Sequence, residues 1–406
     1  MKRAESILLF LTLLFLPTQL GRHFWPQFSY IYSLKIDYLS PTIYFWDLLV
    51  VFLVLIFILQ RKKINVVALN LWLFFILSQL FSLLAYLDYP FNLAHGLVRI
   101  EQYMVAGMFG VYLASLDLAR FKLIIFWSLG FSILGESVLA IAQFLKGATL
   151  GLWVLGERTF SLSTPAIAKF DFYGRQFLRP YATFPHPNVL AAYMVISVII
   201  LGIFRSLKKA PFFRIVSILA GLTTLLTVSR AAILAGFFEA IVLLGRRWKI
   251  LFLVLVLILS PILFTRYLAV LNFDNLSLVR REELSGIAFR MWLSSPIFGV
   301  GLNNFIPKVA DELLVGPSRF LQPVHNIFLL TLAETGVLGM LGLLGLIGYP
   351  IFMLFKLRST NYELRTLLLI WGVIIFLGLF DHYFLTLPQG YRLLFFVWGI
   401  SLSMLK

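Results

Sequence analysis

Short basic clusters punctuate the chain, and between them lie apolar runs of about 17 to 25 residues, the length a helix needs to cross a hydrocarbon core of roughly 30 Å. The clusters are Lys2-Arg3, Arg61-Lys62-Lys63, Arg120 with Lys122, Arg205 through Arg214, Arg246-Arg247-Lys249, Lys356 through Arg365, and Lys406. The runs lack the period-two alternation of barrel strands. Of 406 residues, 61% are hydrophobic and only 13% charged, against roughly 25% charged in a soluble domain. The pattern predicts an all-α, polytopic transmembrane bundle, folded as a single integral membrane domain over residues 1–406.

Reading runs against clusters predicts about twelve spans, at 6–20, 42–60, 66–87, 94–115, 121–145, 187–204, 212–228, 230–245, 250–267, 325–355, 364–386 and 389–405. The first, behind MKRAES, is read as a retained span rather than a signal peptide, because QLGRHFWPQF offers no small-x-small cleavage site. With the N-terminus inside, every cluster falls on the cytoplasmic side. Both termini are then cytoplasmic, and two long loops, 146–186 and 268–324, lie outside. Their aromatics and Pro-Gly turns predict folded loops with short helices. The second and larger holds an amphipathic helix around Leu278 to Leu293. A single helix from Pro211 to Gly245 would rise roughly 50 Å and put its basic flanks on opposite sides. Two short spans with a turn near Ser229-Arg230 fit better.

The net charge of +16 does not indicate nucleic acid, since it is dispersed among cytoplasmic loops. Without cysteine, neither a disulfide nor a thiolate metal site can form. No phosphate-binding Gly-rich loop, His-Glu-x-x-His or outer Asp-x-Asp is present. The outer acidic pairs are Glu282-Glu283 and Asp311-Glu312. Metal-independent, cofactor-free chemistry is therefore expected.

The segment PVHNIFLLTLAETGVLG at 323–339 sets His325 at the mouth of a long apolar helix, where an ionisable group is a functional suspect. His325 could serve as a general base or hydrogen-bond a phosphate. Glu334 lies half a turn out of phase with it and roughly 13 Å deeper, so it is expected to meet an arginine on a neighbouring helix. The predicted outer arginines are Arg158, Arg175, Arg179, Arg230, Arg266, Arg280, Arg281, Arg290 and Arg319, and their planar donor forks suit phosphate oxygens. Arg230, inside TVSRAAIL, needs an anionic partner, either a ligand or a carboxylate such as Glu239 or Glu334. His186 either faces the same cavity or opens a helix. His23 and His95 read as interfacial or structural, and Asp381-His382, near the outer end of its span, as structural or accessory. Gly336, Gly339, Gly342, Gly345 and Gly348 predict close helix packing.

Four segments, RPYATFPHPNVLAAY at 179–193, TVSRAAIL at 227–234, SLVRREELSGIAFRMWLSSPIFGVGLNNF at 277–305 and HNIFLLTLAETGVLG at 325–339, resemble in order the O-antigen ligase and polymerase family of bacterial envelope glycosyltransferases. Ala182 stands where the family commonly has Gly, and Ser285 where an aromatic is frequent. The resemblance implies transfer of an undecaprenyl-pyrophosphate-linked glycan to a lipid or glycan acceptor, at the outer face of the bacterial inner membrane, without nucleotide sugar, metal or nucleic acid. It also implies donor pyrophosphate ligands among Arg230, Arg281, Arg280 and Arg179, with the choice between adjacent Arg280 and Arg281 open. His325 would activate the acceptor hydroxyl, supported by Asn326, His186, Asn188 and Glu334. The implied activity is O-antigen ligase-like transfer to a glycan acceptor, the lipid A core sugar in ligases; the alternatives are an O-antigen or capsule repeat-unit polymerase, nearly as well supported, a glycan-to-protein transferase or, in another class, a lipid-linked oligosaccharide flippase. The long outer loops favour the enzyme.

Overall fold

A computed structural model describes residues 2–88, 90–172, 174–204, 210–243, 249–250, 257, 276–310, 312, 321–357 and 361–406. Helices dominate it: α1 (Lys2–Leu14), α2 (Phe45–Leu59), α3 (Val66–Phe81), α4 (Pro90–Ser115), α5 (Leu118–Lys146), α6 (Pro187–Ile203), α7 (Ala210–Leu226) and α8 (Arg230–Leu243). There follow α9 (Leu276–Ser294), α10 (Phe305–Val309), α11 (Ile327–Lys356), α12 (Tyr362–Phe380), α13 (Tyr383–Thr386) and α14 (Pro388–Met404). Among the described residues, four stretches are long and apolar enough to cross a membrane, namely Val66–Tyr86, α5, α11 and α12, while α2, α6 and Pro211–Leu226 are shorter apolar helices. The expected span at 250–267 lies almost wholly outside the described residues.

Inside a bilayer, helices associate through close packing rather than through flight from water. Gly110 and Gly399 illustrate this: a Cβ on Gly399 would lie 2.5 Å from the Gly110 carbonyl oxygen, so only small residues permit this approach of α4 and α14. Gly342 likewise fits against Ser78 of α3. The long apolar run ending at Gly245 is interrupted, as expected. The chain turns at Thr227 to Ser229, with Val228 at φ 53°, before α8 begins.

Gly336 corrects the packing expectation for its position. It interrupts α11 with φ 62° and ψ −161°, a conformation essentially restricted to glycine. The turn-rich segment after α9 satisfies the backbone groups around the break: Val337 N–H donates to Pro296 O at 2.8 Å, and Val300 N–H to Ala333 O at 2.8 Å. A Cβ on Gly336 would collide with the Ile297 carbonyl. A second correction concerns the span expected to reach residue 386, which stops at Phe380. Asp381 is extended, at φ −156° and ψ 165°, and its Oδ1 accepts the His382 N–H at 2.9 Å.

The predicted amphipathic helix is α9. Its buried face, Leu284, Ile287, Ala288 and Met291, packs with Phe305, Val309, Val324, Leu330 and Ala333. Short antiparallel strand pairs fold the segments outside the helices: β1 (Gly21–His23) with β4 (Thr42–Tyr44), enclosing the hairpin of β2 (Tyr30–Ile31) with β3 (Leu34–Lys35), and the hairpin of β5 (Lys169–Phe172) with β6 (Arg175–Leu178).

Candidate active site

The site forms where helix ends meet. His186 is the N-cap of α6, its Nδ1 accepting the Asn188 N–H at 3.1 Å, with Pro187 at the first helical position. This cap fixes Asn188 in the first turn, where its amide joins two distant segments. Asn188 Oδ1 accepts from Arg179 Nη2 at 2.7 Å, and Asn188 Nδ2 donates to Asp381 Oδ2 at 3.0 Å. Arg179 also donates through Nε to Thr227 O, at the turn between α7 and α8, at 2.5 Å. The N-terminus of α6, the α7–α8 turn and the C-terminus of α12 are thereby tied together. Arg281, on α9, donates to Phe380 O at 3.3 Å, complementing the negative end of the α12 dipole.

Beside these ends, donor atoms of His325, Asp381 and His382 all lie within 4.8 Å of one another. The His325 and His382 rings meet edge to face at 5.2 Å and 73°. His382 Nδ1 shares a 2.6 Å hydrogen bond with Thr386 Oγ1, while its Nε2 stands 3.9 Å from Asp381 Oδ1. Tyr38 covers His382, the two rings 5.9 Å apart. His325 Nδ1 is buried without a hydrogen-bond partner.

Burial governs the protonation of this cluster. It pushes His186 down to about 4, with the Arg179 charge adding and Asp381 opposing. Burial likewise pushes His382 down to about 3 against the pull of Asp381. His325 is lowered for the same reason, with Asp381 opposing and Arg281 adding. Burial alone would raise Asp381, but the surrounding histidines and the Asn188 amide hold it down at about 2. The result at neutral pH is a carboxylate ringed by neutral imidazoles, which is a proton-accepting arrangement. Burial, reinforced by the Arg230 charge, also lowers Arg179 to about 10. Arg281 falls through burial and the Arg230 charge, with Asp381 opposing.

The three donor residues could reach a divalent ion, although the neighbouring arginine charges oppose a cation there. They are not the acidic pairs singled out from the sequence. Glu283 pairs instead with Arg280 at 3.3 Å, and Asp311 lies outside the described residues.

Among the predicted residues, Arg179, His186, Asn188, Arg281 and His325 thus gather in one cluster. Arg230 opens α8, exposed, close enough for its charge to act on Arg179 and Arg281. Arg280 does not join them: it is 5% exposed and turned to Glu283. Asn326 is the N-cap of α11, its Oδ1 accepting from Phe328 N–H at 2.9 Å and Leu329 N–H at 3.0 Å. Glu334 Oε1 accepts the Phe305 N–H at 3.2 Å, and the residue lines a small cavity with Arg99 of α4, whose charge acts on it. Arg99 donates to Thr386 O at 2.9 Å and Asn303 Oδ1 at 3.0 Å. His23 and His95 both find partners, Thr42 Oγ1 at 2.8 Å and Asn304 Oδ1 at 2.9 Å. Arg158 and Arg290 pair with Asp37 and Glu312, and Arg266 and Arg319 lie outside the described residues.

Sequence reasoning missed the centrality of Asp381 and His382, and the contribution of Tyr38. The signal for the first two was present. Adjacent ionisable residues at the end of an apolar run meet the same criterion that singles out His325.

Residues 215–344 match the family model of O-antigen ligase. That stretch runs from α7 past the middle of α11 and takes in Arg230, Arg281 and His325; Arg179, Asn188 and Asp381 lie beyond it. No curated protein matches the chain. Over the matched stretch the chain resembles the O-antigen ligases, and several of its helices are long and apolar enough to cross a membrane.

Proposed function

We propose that the protein transfers a glycan from an undecaprenyl-pyrophosphate donor to a hydroxyl of a glycan acceptor at the outer face of the bacterial inner membrane, in the manner of an O-antigen ligase. The observation that carries this reading is the convergence of His325 and Asp381 with Arg179, Arg230 and Arg281 at one end of the helices. A base beside an arginine cluster suits attack of a hydroxyl on a sugar whose leaving group is a pyrophosphate.

In this scheme the acceptor hydroxyl loses its proton to His325 and its oxygen bonds to the donor's anomeric carbon. The bond from that carbon to the pyrophosphate oxygen breaks, and the electron pair leaves with the lipid pyrophosphate. Arg281, Arg230 and Arg179 offset the charge developing on it. With His325 Nδ1 sealed from solvent, Nε2 is the nitrogen left to meet the acceptor. Asp381 holds the imidazolium that forms, through contacts that tighten once substrate is bound. Arg281, rather than Arg280, is the ligand of the pair, because Arg280 is engaged with Glu283. Asn326 and His186 support the site by capping the two helices that carry it.

The test is purified protein in nanodiscs supplied with a defined undecaprenyl-pyrophosphate-linked repeat, with and without lipid A core, and the products weighed by mass spectrometry. Repeat-modified lipid A core is expected. Repeat oligomers formed without acceptor would identify a polymerase, and lipid-linked repeat moved across vesicles unchanged would identify a flippase.

A further inference from the structure

A second pocket, of about 400 Å³, opens between the first hairpin and the loop after α5, a volume near the lower end of small-molecule sites, roughly 300–1,000 Å³. We propose that it is a saccharide subsite, binding an uncharged pyranose unit of the acceptor glycan beside the reaction centre. This assignment rests on the glycosyltransferase reading for the identity of the glycan, and on the pocket itself for the chemistry.

The pocket is lined by Gln19, Asp37, Trp153 and Arg158, among others. Arg158 organises its polar side, donating through Nε to Gln19 Oε1 and through Nη2 to Asp37 Oδ2, each at 3.1 Å. Gln19 Nε2 is left buried with no hydrogen-bond partner. Trp153 is 69% exposed, yet its loop is pinned. Glu157 accepts the Leu150 N–H at 2.7 Å, the Leu152 N–H at 2.6 Å and Gln143 Nε2 at 2.7 Å. Across the pocket, Thr18 Oγ1 donates to Leu155 O at 2.7 Å.

A pyranose has apolar C–H faces and a rim of hydroxyls. An indole plane matches the face, and planar amide, carboxylate and guanidinium groups match adjacent hydroxyls with paired donors and acceptors. The Arg158 charge is already balanced by Asp37, which argues against an anionic ligand. Position supplies the link to catalysis. Asp37 lines the pocket while the next residue, Tyr38, packs on His382.

Saturation-transfer NMR on the full chain in nanodiscs tests this with methyl glycosides of glucose, galactose, mannose and N-acetylglucosamine. At least one is expected to bind, with affinity falling at least about fivefold in Trp153→Ala and Asp37→Asn and staying within about twofold in Trp153→Phe. Binding to none, or equal binding by Trp153→Ala, overturns the proposal; the second result would instead mark the exposed Leu150-to-Leu155 loop as a seat at the membrane interface. Glycoside binding that persists while His325→Ala retains full transfer removes the catalytic reading and leaves the subsite. Transfer lost in His325→Ala with no glycoside bound does the reverse.

Discussion

The side-chain amide of Asn188 donates to the Asp381 carboxylate at 3.0 Å, joining residues 193 positions apart in sequence. Because the same amide accepts from Arg179, it couples the carboxylate beside the histidines to the arginine beside the α7–α8 turn. Replacing Asp381 with Asn is expected to lower kcat roughly a hundredfold, within the usual range for disturbing acid–base catalysis. Asn188→Ala should lower it about tenfold. Both are read in the nanodisc transfer assay, with thermal unfolding as the control.

Acid should remove both activity and stability. His186 and His382 have folded-state values near 4 and 3, below their unfolded value of 6.5, so the unfolded chain binds protons first as pH falls. Stability should be full above pH 6.5 and decline from there toward pH 3. Asp381 adds a further loss as pH falls below its unfolded 3.8 toward about 2. Transfer should fall with an apparent pKa below 6.5, as His325 is protonated. Thermal midpoints and initial rates across pH check the two separately.

Adjacent Arg280 and Arg281 should separate cleanly. Arg281→Ala is expected to cut kcat/KM roughly a hundredfold while leaving the unfolding midpoint nearly unchanged. Arg280→Ala removes a 3.3 Å ion pair from a largely buried setting and should destabilise by about 2 kcal/mol. The check is the pair of measurements on each protein, kcat/KM and midpoint.

Backbone conformation makes two opposite predictions. Gly336→Ala forces a Cβ against the Ile297 carbonyl at a glycine-only conformation and should cost about 3 kcal/mol. Ala182 sits at φ 50°, so Ala182→Gly should relieve about 1 kcal/mol of strain, partly offset by the freer unfolded chain. Unfolding midpoints in one detergent compare both with the parent protein.

The helices were legible because bilayer thickness and chain periodicity set their length. The turn near Ser229 and the amphipathic α9 were legible for related reasons of length and charge. What the sequence hid was convergence. His325, Asp381 and Tyr38 come from three distant segments, and no local pattern announces that the ring of Tyr38 covers His382. Arg280 and Arg281 were indistinguishable until helix phase turned one toward Glu283 and the other toward Phe380 O. Ala182 takes a left-handed backbone at φ 50°, a conformation that favours the glycine expected at that position from the resemblance.

The central claim is that His325 takes the acceptor's proton beside an arginine-held pyrophosphate. Single-turnover transfer by His325→Ala, with donor binding followed separately, tests it most directly. The rate should fall at least about a hundredfold, with donor affinity within about threefold of the parent. A single-turnover rate equal to that of the parent protein would contradict it.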